Sequence, residues 1–266
     1  TKDILDKAFP DQPVYLARID GHAGWVNSKA LQLAKITADT KAEGGLVIVK
    51  NGQPTGVLID RAQQLVKTLN PTPTKEEITS RLLKAQQVCF QYGLTNVGDA
   101  GVELDLIDHI DSLQKAGTLK IRLYPMVRVG QENIDKMIKK GVYVTDRLNL
   151  RSFKIYADGA LGSRGACLLK PYSDSPETTG FLLYSPVELE KWISQLANTE
   201  LQANTHCIGD SANRLMLNLY AKYLKGKNNR RWRIEHAQIV DAADVAKFGE
   251  YNILPSAQPT HATSDM

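Results

Sequence analysis

The stretch LQANTHCIGDSANRLMLNLYAKYLKGKNNRRWRIEHAQIV at residues 201–240 contains one strand–helix–strand unit. Leu201–Cys207 and Trp232–Val240 are predicted as strands, and Asp210–Lys225 between them is predicted as a helix. Strands that alternate with helices lie parallel to each other and are joined by right-handed crossovers. The unit therefore predicts an α/β fold built on a parallel sheet.

The same alternation extends in both directions, from residue 76 to residue 258. The further predicted strands are Leu94–Ala100, Leu119–Val129, Leu148–Ala157 and Ile253–Gln258. The further predicted helices occupy residues 76–92, 103–116, 132–140, 186–199 and 242–250. This rhythm of strands and helices satisfies either a (β/α)8 barrel or a doubly wound open sheet.

Residues 1–75 do not follow this rhythm. They contain a strand candidate at Val14–Ile19, a predicted turn at Asp20–Gly24 and a glycine-rich segment with a hairpin signal at Asn51–Gly52. We predict a small subdomain of mixed helix and antiparallel strand here, appended to a barrel domain at residues 76–266.

The composition excludes several classes of protein. The 266 residues carry 33 Lys and Arg against 29 Asp and Glu, a net charge of +4, and 42% of them are hydrophobic, which is typical of a globular chain. Without a basic run or an apolar run of roughly 18–20 residues, we expect no nucleic-acid partner and no membrane. The 3 cysteines lack the CxxC spacing of a thiolate zinc site. A soluble α/β enzyme with a small-molecule substrate is the leading class.

The first residues bear on the cellular compartment of the protein. The polar start TKDILDKAFPDQP has no apolar signal-peptide segment, which favours the cytoplasm. The first residue is Thr1, so we expect an excised piece of a longer protein, whose own N-terminus is not visible.

Two histidines occupy corresponding positions in the predicted sheet. Catalytic groups of a parallel barrel lie at the carboxyl ends of its strands and in the loops that follow. His206 ends one predicted strand and His236 lies near the end of the next, so both should project toward the same mouth. Such histidines suit metal binding or acid–base chemistry, and a hydrogen-bonded structural role is the alternative.

Lys154 lies inside the predicted strand of RSFKIYADG, on the same face as Tyr156. A buried lysine is unfavourable unless its charge is paired or neutralised, so Lys154 is either a functional residue facing inward or an edge lysine facing solvent. Asp158 and Arg164 follow in a glycine-rich loop that is able to bring them over a site or simply to make turns.

His22 and Trp25 of GHAGWVN come just before a predicted helix in the first segment. They fit a lid over a site, and they fit equally well the small core of their own subdomain. His109 lies in the middle of a predicted helix and is expected to be structural.

Seven stretches, spread in order along almost the whole chain, resemble the amidohydrolase superfamily. The branch they resemble is amidohydrolase-3, related to N-substituted formamide deformylases and to exoenzyme regulatory proteins. The stretches are GHAGWVNSKAL (21–31), GQPTGVLID (52–60), GLTNVGDAG (93–101), FKIYADGALGSR (153–164), NTHCIGDSAN (204–213), RIEHAQIV (233–240) and PSAQPTHATSDM (255–266).

The resemblance implies a metal-dependent (β/α)8 hydrolase, in which a divalent metal, usually zinc, lowers the pKa of a water and polarises an amide carbonyl. By position, His206 and His236 match the metal ligands of the fifth and sixth barrel strands. Lys154 matches the fourth-strand lysine that some relatives carboxylate, and whether Lys154 is carboxylated is left open. The positions that match substrate-pocket residues are His22, Trp25, Asp158 and Arg164.

Two departures from the family pattern set the expected architecture. The HxH pair of the first strand is absent from the sequence, and the chain stops after the seventh strand, with Asp265 too close to that strand to serve as the late aspartate ligand. We therefore expect an incomplete (β/α)8 TIM barrel, about strands 2–7, with a small α+β subdomain inserted at its N-terminal end. Such a central fragment would keep half of a site that holds one or two metals in the full protein, bind metal weakly and have little activity.

The leading hypothesis is a hydrolase that acts on a carbon–nitrogen bond of an amide-like, non-peptide substrate. The alternative is a non-catalytic regulatory or small-molecule-binding protein on a degenerate barrel, favoured by the missing HxH. A third option is a metal-free enzyme that uses His206 and Asp210 for acid–base chemistry. The sequence leaves a homo-oligomer open.

Overall fold

Residues 1–67 contain a four-stranded antiparallel sheet and three short helices, in a computed structural model that describes residues 1–264. The strands are β1 (Tyr15–Ala17), β2 (Ala23–Val26), β3 (Gly45–Lys50) and β4 (Gln53–Asp60), and the helices are α1 (Asp3–Ala8), α2 (Ser28–Leu33) and α3 (Gln64–Lys67). The strand order is β1–β2–β4–β3, and a small apolar cluster is buried in this segment. The division of the chain after residue 75 stays a prediction.

The hairpin predicted around Asn51–Gly52 joins β3 to β4. Both residues have left-handed backbone, with φ of 52° and 72°, as a two-residue hairpin turn requires. The turn predicted at Asp20–Gly24 is wrong at its end, because Ala23 and Gly24 belong to β2, which pairs with β1 on one side and β4 on the other. Four residues are too few for an alternating pattern to be recognised in the sequence.

The larger sheet consists of parallel strands separated by helices. The strands from β5 onward are β5 (Asn96–Val102), β6 (Arg122–Arg128), β7 (Tyr143–Val144), β8 (Asn149–Leu150), β9 (Ser152–Tyr156), β10 (Gln202–Cys207), β11 (Arg233–His236) and β12 (Leu254–Ala257), of which β7 and β8 form a separate small hairpin. The helices are α4 (Lys75–Gln91), α5 (Leu104–Lys115), α6 (Gln131–Lys140), α7 (Pro186–Ala197), α8 (Asp210–Leu224), α9 (Val245–Glu250) and α10 (His261–Ser264).

The order of the strands decides between a barrel and an open sheet. The order is β12–β11–β10–β9–β6–β5, so each strand of this sheet pairs with its neighbours in the chain, always in parallel. A doubly wound sheet has a point at which this order reverses. The parallel sheet is therefore an incomplete TIM-like barrel of six strands. Asp265 lies outside the described residues.

Capping residues explain where the long helices begin. At the start of α7, the Ser185 hydroxyl accepts a hydrogen bond from the Glu188 amide at 3.2 Å, and the Glu188 carboxylate accepts one from the Ser185 amide at 3.0 Å. Thr74 and Glu77 form the same capping box at the start of α4. Both starts lie within one residue of the positions predicted from the sequence.

The two faces of the parallel sheet differ in chemistry. Phe153 and Ile155 of β9 are fully buried in the main apolar core, together with residues of the helices that cover this face. Lys154 and Tyr156 alternate with them and lie on the opposite face. Within residues 1–264, no helix combines the length and the apolar character needed to cross a membrane.

Candidate functional site

Two imidazole rings meet at the carboxyl ends of β10 and β11. The ring centres of His206 and His236 are 4.7 Å apart in an edge-to-face arrangement, and His206 is only 2% exposed. The structure thus brings together the two histidines that the sequence placed at one mouth of the sheet.

His236 reaches this position through an unusual backbone conformation. In the register of the parallel sheet, His206 lies beside Glu235, whereas His236 lies beside Cys207, which is buried in the core. His236 and Ala237 have φ of 72° and 42°, so the chain leaves the extended conformation at this point. The strand predicted at Trp232–Val240 is wrong beyond His236 for this reason.

The hydrogen bonds behind the two rings determine which nitrogen of each is free. His206 Nε2 lies 3.1 Å from the carbonyl oxygen of Gly159, which only accepts, so Nε2 carries the hydrogen and Nδ1 keeps a lone pair. His236 Nδ1 is hydrogen-bonded to Gln258 Oε1, which leaves the lone pair on Nε2. Each ring therefore offers one free nitrogen, oriented by an oxygen on its far side, as in metal-binding histidines.

Burial keeps both rings in the neutral form that binds metals. Desolvation lowers the pKa of His206 well below its ordinary value, and the positive charge of Lys154 acts in the same direction. Desolvation also lowers the pKa of His236, against the hydrogen bond to Gln258. Neutral imidazole is the ligand form of histidine.

Lys154 lies on the same side of the sheet, inside β9. Because β9 lies between β6 and β10, Lys154 is 4% exposed, which decides against an edge lysine facing solvent. Its ammonium group lies 4.3 Å from the centre of the Tyr156 ring. Burial lowers the pKa of Lys154 to about 8, partly opposed by the charge of Glu235.

Asp158 holds the loop after β9 against the start of α8. Its carboxylate is fully buried and accepts hydrogen bonds from the amides of Cys167, Ile208 and Gly209 at 2.9, 3.0 and 2.8 Å. Burial raises the pKa of Asp158 to about 7, although these three amides favour the ionised form. The structure places this residue behind the ring of His206, with Oδ1 3.6 Å from Nε2.

A second histidine–carboxylate pair reaches the site from the first 67 residues. His22 Nδ1 lies 2.6 Å from Asp60 Oδ1, and the ring of His22 lies 5.3 Å from that of His206. Asp60 has a left-handed φ of 46°, and its side chain is 2% exposed. A Cβ atom on Gly159 or Gly165 would lie 2.3 or 2.4 Å from Asp60 Oδ2, so only glycine makes room for this carboxylate.

The other two predicted pocket residues lie elsewhere. Trp25 lies in β2, three residues after His22, and it lines a separate apolar cavity of about 550 Å³ together with Arg164. The guanidinium of Arg164 forms an exposed ion pair with Asp174 at 2.9 Å. Of the four predicted pocket residues, His22 alone has its ring beside that of His206.

Three residues at the mouth were not singled out from the sequence. Asp60, Arg128 and Lys67 line a cavity of about 640 Å³ between the first 67 residues and the strand ends, together with His22 and Tyr156. Asp60 lies in the stretch GQPTGVLID, but a carboxylate at the end of a hairpin carries no sign of burial. Arg128 does lie one residue before the end of the strand predicted at Leu119–Val129, and that position was a usable signal.

The nitrogen donors at the mouth are of the kind that divalent zinc prefers, because His206 and His236 each have a free lone pair. Lys154 lies on the neighbouring strand β9, where its partner on β10 is Asn204. These donors are fewer than a complete metal site needs. Residues 1–264 contain no group of three or more His, Cys, Asp and Glu side chains placed to hold a metal. The arrangement fits part of a metal site.

Comparison with known proteins places the chain in a family. The whole chain, residues 1–266, matches the model of the amidohydrolase family. It is 35% identical to the putative amidohydrolase YtcJ of Bacillus subtilis (strain 168), over 100% of this chain and 51% of that protein. It is 26% identical to an N-substituted formamide deformylase of Arthrobacter pascens, over 97% of this chain and 50% of that protein.

The fold has a counterpart among solved structures. The structure matches the crystal structure of an uncharacterized metal-dependent hydrolase from Pyrococcus horikoshii OT3 with a TM-score of 0.75 and 26% identity, over 100% of this chain and 52% of that chain. The chain spans about half the length of the curated relatives it matches. Its full-length match to the family model shows that the chain belongs to the amidohydrolase family.

Proposed function

We propose that this chain carries the Lys/His/His part of a divalent-metal site, and that the protein hydrolyses a carbon–nitrogen bond of an amide-like, non-peptide small molecule. The observation that carries the proposal is the pair of neutral rings, 4.7 Å apart, with one free nitrogen each beside a buried lysine. Family membership and the names of the relatives, an amidohydrolase and a formamide deformylase, support the same chemistry.

The proposed metal is zinc, because two imidazole ligands suit zinc among the divalent metals. When bound, it would lower the pKa of a water and polarise the amide carbonyl of the substrate. The chain's own contribution is orientation. The carbonyl of Gly159 holds the ring of His206, and the side chain of Gln258 holds the ring of His236.

Lys154 can take part in the site as a neutral amine or as a carbamate. Its lowered pKa leaves a substantial fraction as neutral amine near pH 8. A neutral amine adds carbon dioxide to form a carbamate and releases one proton, which turns a buried cation into an anion with two oxygen donors. We propose that Lys154 is carboxylated when the site is complete.

His22 would contact the substrate from the opposite side. Since its Nδ1 is bonded to Asp60, its Nε2 is the nitrogen available to a substrate group. The Asp60 carboxylate fixes this orientation of the ring, so His22 is placed to hydrogen-bond the departing amine through Nε2.

The chain alone should bind zinc weakly. Catalytic zinc sites use three protein ligands, whereas the described residues supply two imidazoles, and Lys154 becomes a ligand only after carboxylation. The same shortage favours the second candidate, a non-catalytic protein that binds a small molecule at this mouth without a metal.

The test is a zinc titration against a chromophoric chelator, with the wild-type chain and the variants His206→Ala, His236→Gln and His109→Ala. His109 is a matched control, since it lies on α5 and bonds Thr79 at 2.9 Å, away from the mouth. We expect the first two variants to weaken zinc binding at least ~10-fold, as loss of ligand support does in known sites. Circular dichroism checks that each variant folds.

Equal zinc affinity in all four proteins would overturn the assignment of the ligands. A folded wild-type chain that binds no zinc and hydrolyses no amide, yet binds small amides, would favour the second candidate. Hydrolysis that survives removal of metal by a chelator would contradict both.

A further inference from the structure

Lys67, at the end of α3, is a half-buried cation with no carboxylate partner among residues 1–264. Its ammonium nitrogen lies over the Tyr15 ring, 5.6 Å from the ring centre. Desolvation lowers the pKa of Lys67, and the positive charge of Arg128 lowers it further. The charged form of Lys67 is therefore disfavoured by burial and by the nearby positive charge of Arg128. A bound anion would offset both effects.

Arg128 and Lys67 both line the cavity of about 640 Å³ between the first 67 residues and the strand ends. The Nε of Arg128 lies 2.6 Å from Glu103 Oε1. Arg128 and Tyr156 both lie close to Gly101. A Cβ atom added at Gly101 would lie 3.9 Å from Nη2 of Arg128 and 3.0 Å from the Tyr156 hydroxyl. The guanidinium therefore extends over Gly101 beside Tyr156, with terminal nitrogens that donate to no carboxylate in the described part of the chain.

The acidic residues that line the same cavity are already engaged. Asp20 is held by Arg18 through two hydrogen bonds, Asp60 is bonded to His22, and Glu103 pairs with Arg128. None of these carboxylates pairs with Lys67. The cationic side chains that line the cavity are Arg61, Lys67 and Arg128, and Arg61 already donates to the carbonyl of Leu183.

We propose that this cavity binds a carboxylate group of a small-molecule ligand, held by Lys67 on one wall and Arg128 on the other. A guanidinium and an ammonium that converge from different segments are the usual partners of a carboxylate. Among the described acids, Arg128 has one carboxylate partner and Lys67 has none.

The cavity adjoins the candidate metal centre. His22 and Tyr156 line it, and their rings lie 5.3 and 5.7 Å from that of His206. A molecule anchored by its carboxylate at Lys67 and Arg128 would extend past these rings toward His206. Provided that the proposed function holds, the preferred substrate is an amide that also carries a carboxylate.

The test compares two probes of similar size, N-acetylglycine, which carries a carboxylate, and N-acetylglycinamide, which carries a neutral carboxamide in its place. Their dissociation constants are measured by ligand-observed NMR at pH 7 with the 266-residue chain in the presence of a chelator, so that no metal competes for the carboxylate. We expect the anionic probe to bind about 10-fold more tightly than the neutral one, which is the size of one partly exposed charge interaction.

Variants test whether the preference for the anionic probe arises in this cavity. Lys67→Met and Arg128→Gln should each reduce the preference to about two-fold or less, whereas Lys67→Arg should retain it. Lys50→Met is the matched control, because Lys50 is an exposed lysine at the end of β3 outside the lining of this cavity. Each substitution at an exposed or half-buried side chain leaves the cores intact.

Equal binding of the two probes by the wild-type chain would overturn the proposal. So would an unchanged preference in both Lys67→Met and Arg128→Gln, or an equal loss in Lys50→Met. Because the measurement needs neither metal nor turnover, a failure to bind zinc or to hydrolyse amides leaves this result standing and counts only against the proposed function.

Discussion

At the scale of single residues, Lys154 is an energetically unfavourable side chain in the parallel sheet. It lies in an inner strand, is 4% exposed and has no carboxylate within salt-bridge distance among the described residues. Burial of its charge lowers its pKa to about 8. A residue that destabilises the fold in this way is expected where it contributes to a site rather than to stability.

Replacing Lys154 by methionine, which has a similar length and no charge, should raise the free energy of unfolding by about 1–3 kcal/mol at pH 7. The folded-state pKa is lower than that of the unfolded chain, so the penalty is fully present below pH 8. It disappears as the pH rises from about 8 to 10.5, where the folded protein releases its proton before the unfolded chain does. Urea unfolding at pH 7 to 10.5, in buffer free of carbon dioxide and metal, measures this difference.

Lys170→Met is the control for that series, because Lys170 is exposed. Its difference from the wild type should be small and independent of pH. A wild-type chain as stable as Lys154→Met at pH 7, or a difference that grows with pH, would contradict a buried charge at Lys154.

At the scale of elements, the loop after β9 joins the two halves of the candidate site. It supplies the Gly159 carbonyl that orients His206, and it encloses the carboxylate of Asp60 between Gly159 and Gly165. The Asp60 carboxylate in turn orients His22. One short loop therefore determines the relative positions of residues from three distant parts of the chain.

Gly165→Ala should destabilise the protein by about 1–3 kcal/mol, the usual effect of forcing a methyl group into a filled space. The added Cβ would lie 2.4 Å from Asp60 Oδ2 and displace that carboxylate from His22. Thermal unfolding measures the first effect, and the ¹⁵N chemical shifts of the His22 ring report the loss of its fixed tautomer.

Gly162→Ala in the same loop is the comparison, because nothing lies within 4 Å of its added Cβ. Its stability should stay within about 0.5 kcal/mol of the wild type. Equal stability of the Gly165→Ala and Gly162→Ala variants would contradict the claim that the close fit of Asp60 between the glycines stabilises this loop.

At the scale of the whole molecule, the outer strands of the parallel sheet and the outer surface of α4 are open. In the described part of the chain, β5 and β12 each pair with a single neighbour. No residue of α4 is buried, and large apolar side chains are exposed at and just after its end: Val88, Phe90, Tyr92 and Leu94. Parallel sheets are normally covered on both faces, and unpaired strand edges invite association.

We therefore expect the 266-residue chain to associate with itself as its concentration rises, which light scattering coupled to gel filtration would record as an increasing mass. Val88→Glu should reduce this association, since it places a charge on the apolar patch of α4. Val187→Glu is the control, because Val187 is 77% exposed on a different helix, α7. A constant monomer mass at all concentrations, or equal effects of the two variants, would contradict this expectation.

Most of the elements could be predicted from the sequence, and much less of the site. Helix starts such as Pro186 and strands such as Asn96–Val102 depend on neighbouring residues, so local patterns locate them to within a few positions. The small strand Ala23–Val26 was missed because it exists only through its partners on both sides. Asp60 was missed for a similar reason, since its burial depends on two glycines far away in the chain.

The sequence by itself determined that strands and helices alternate, that His206 ends a strand, and that Lys154 shares a face with Tyr156, because these properties depend on periodicity and on adjacent residues. Only the tertiary structure decided that the strands follow chain order as in a barrel, and that Lys154 faces inward. The left-handed turn that brings His236 to His206 also belongs to the structure alone. These three features depend on hydrogen bonds and packing between segments that are distant in the chain, and local sequence patterns carry no information about such contacts.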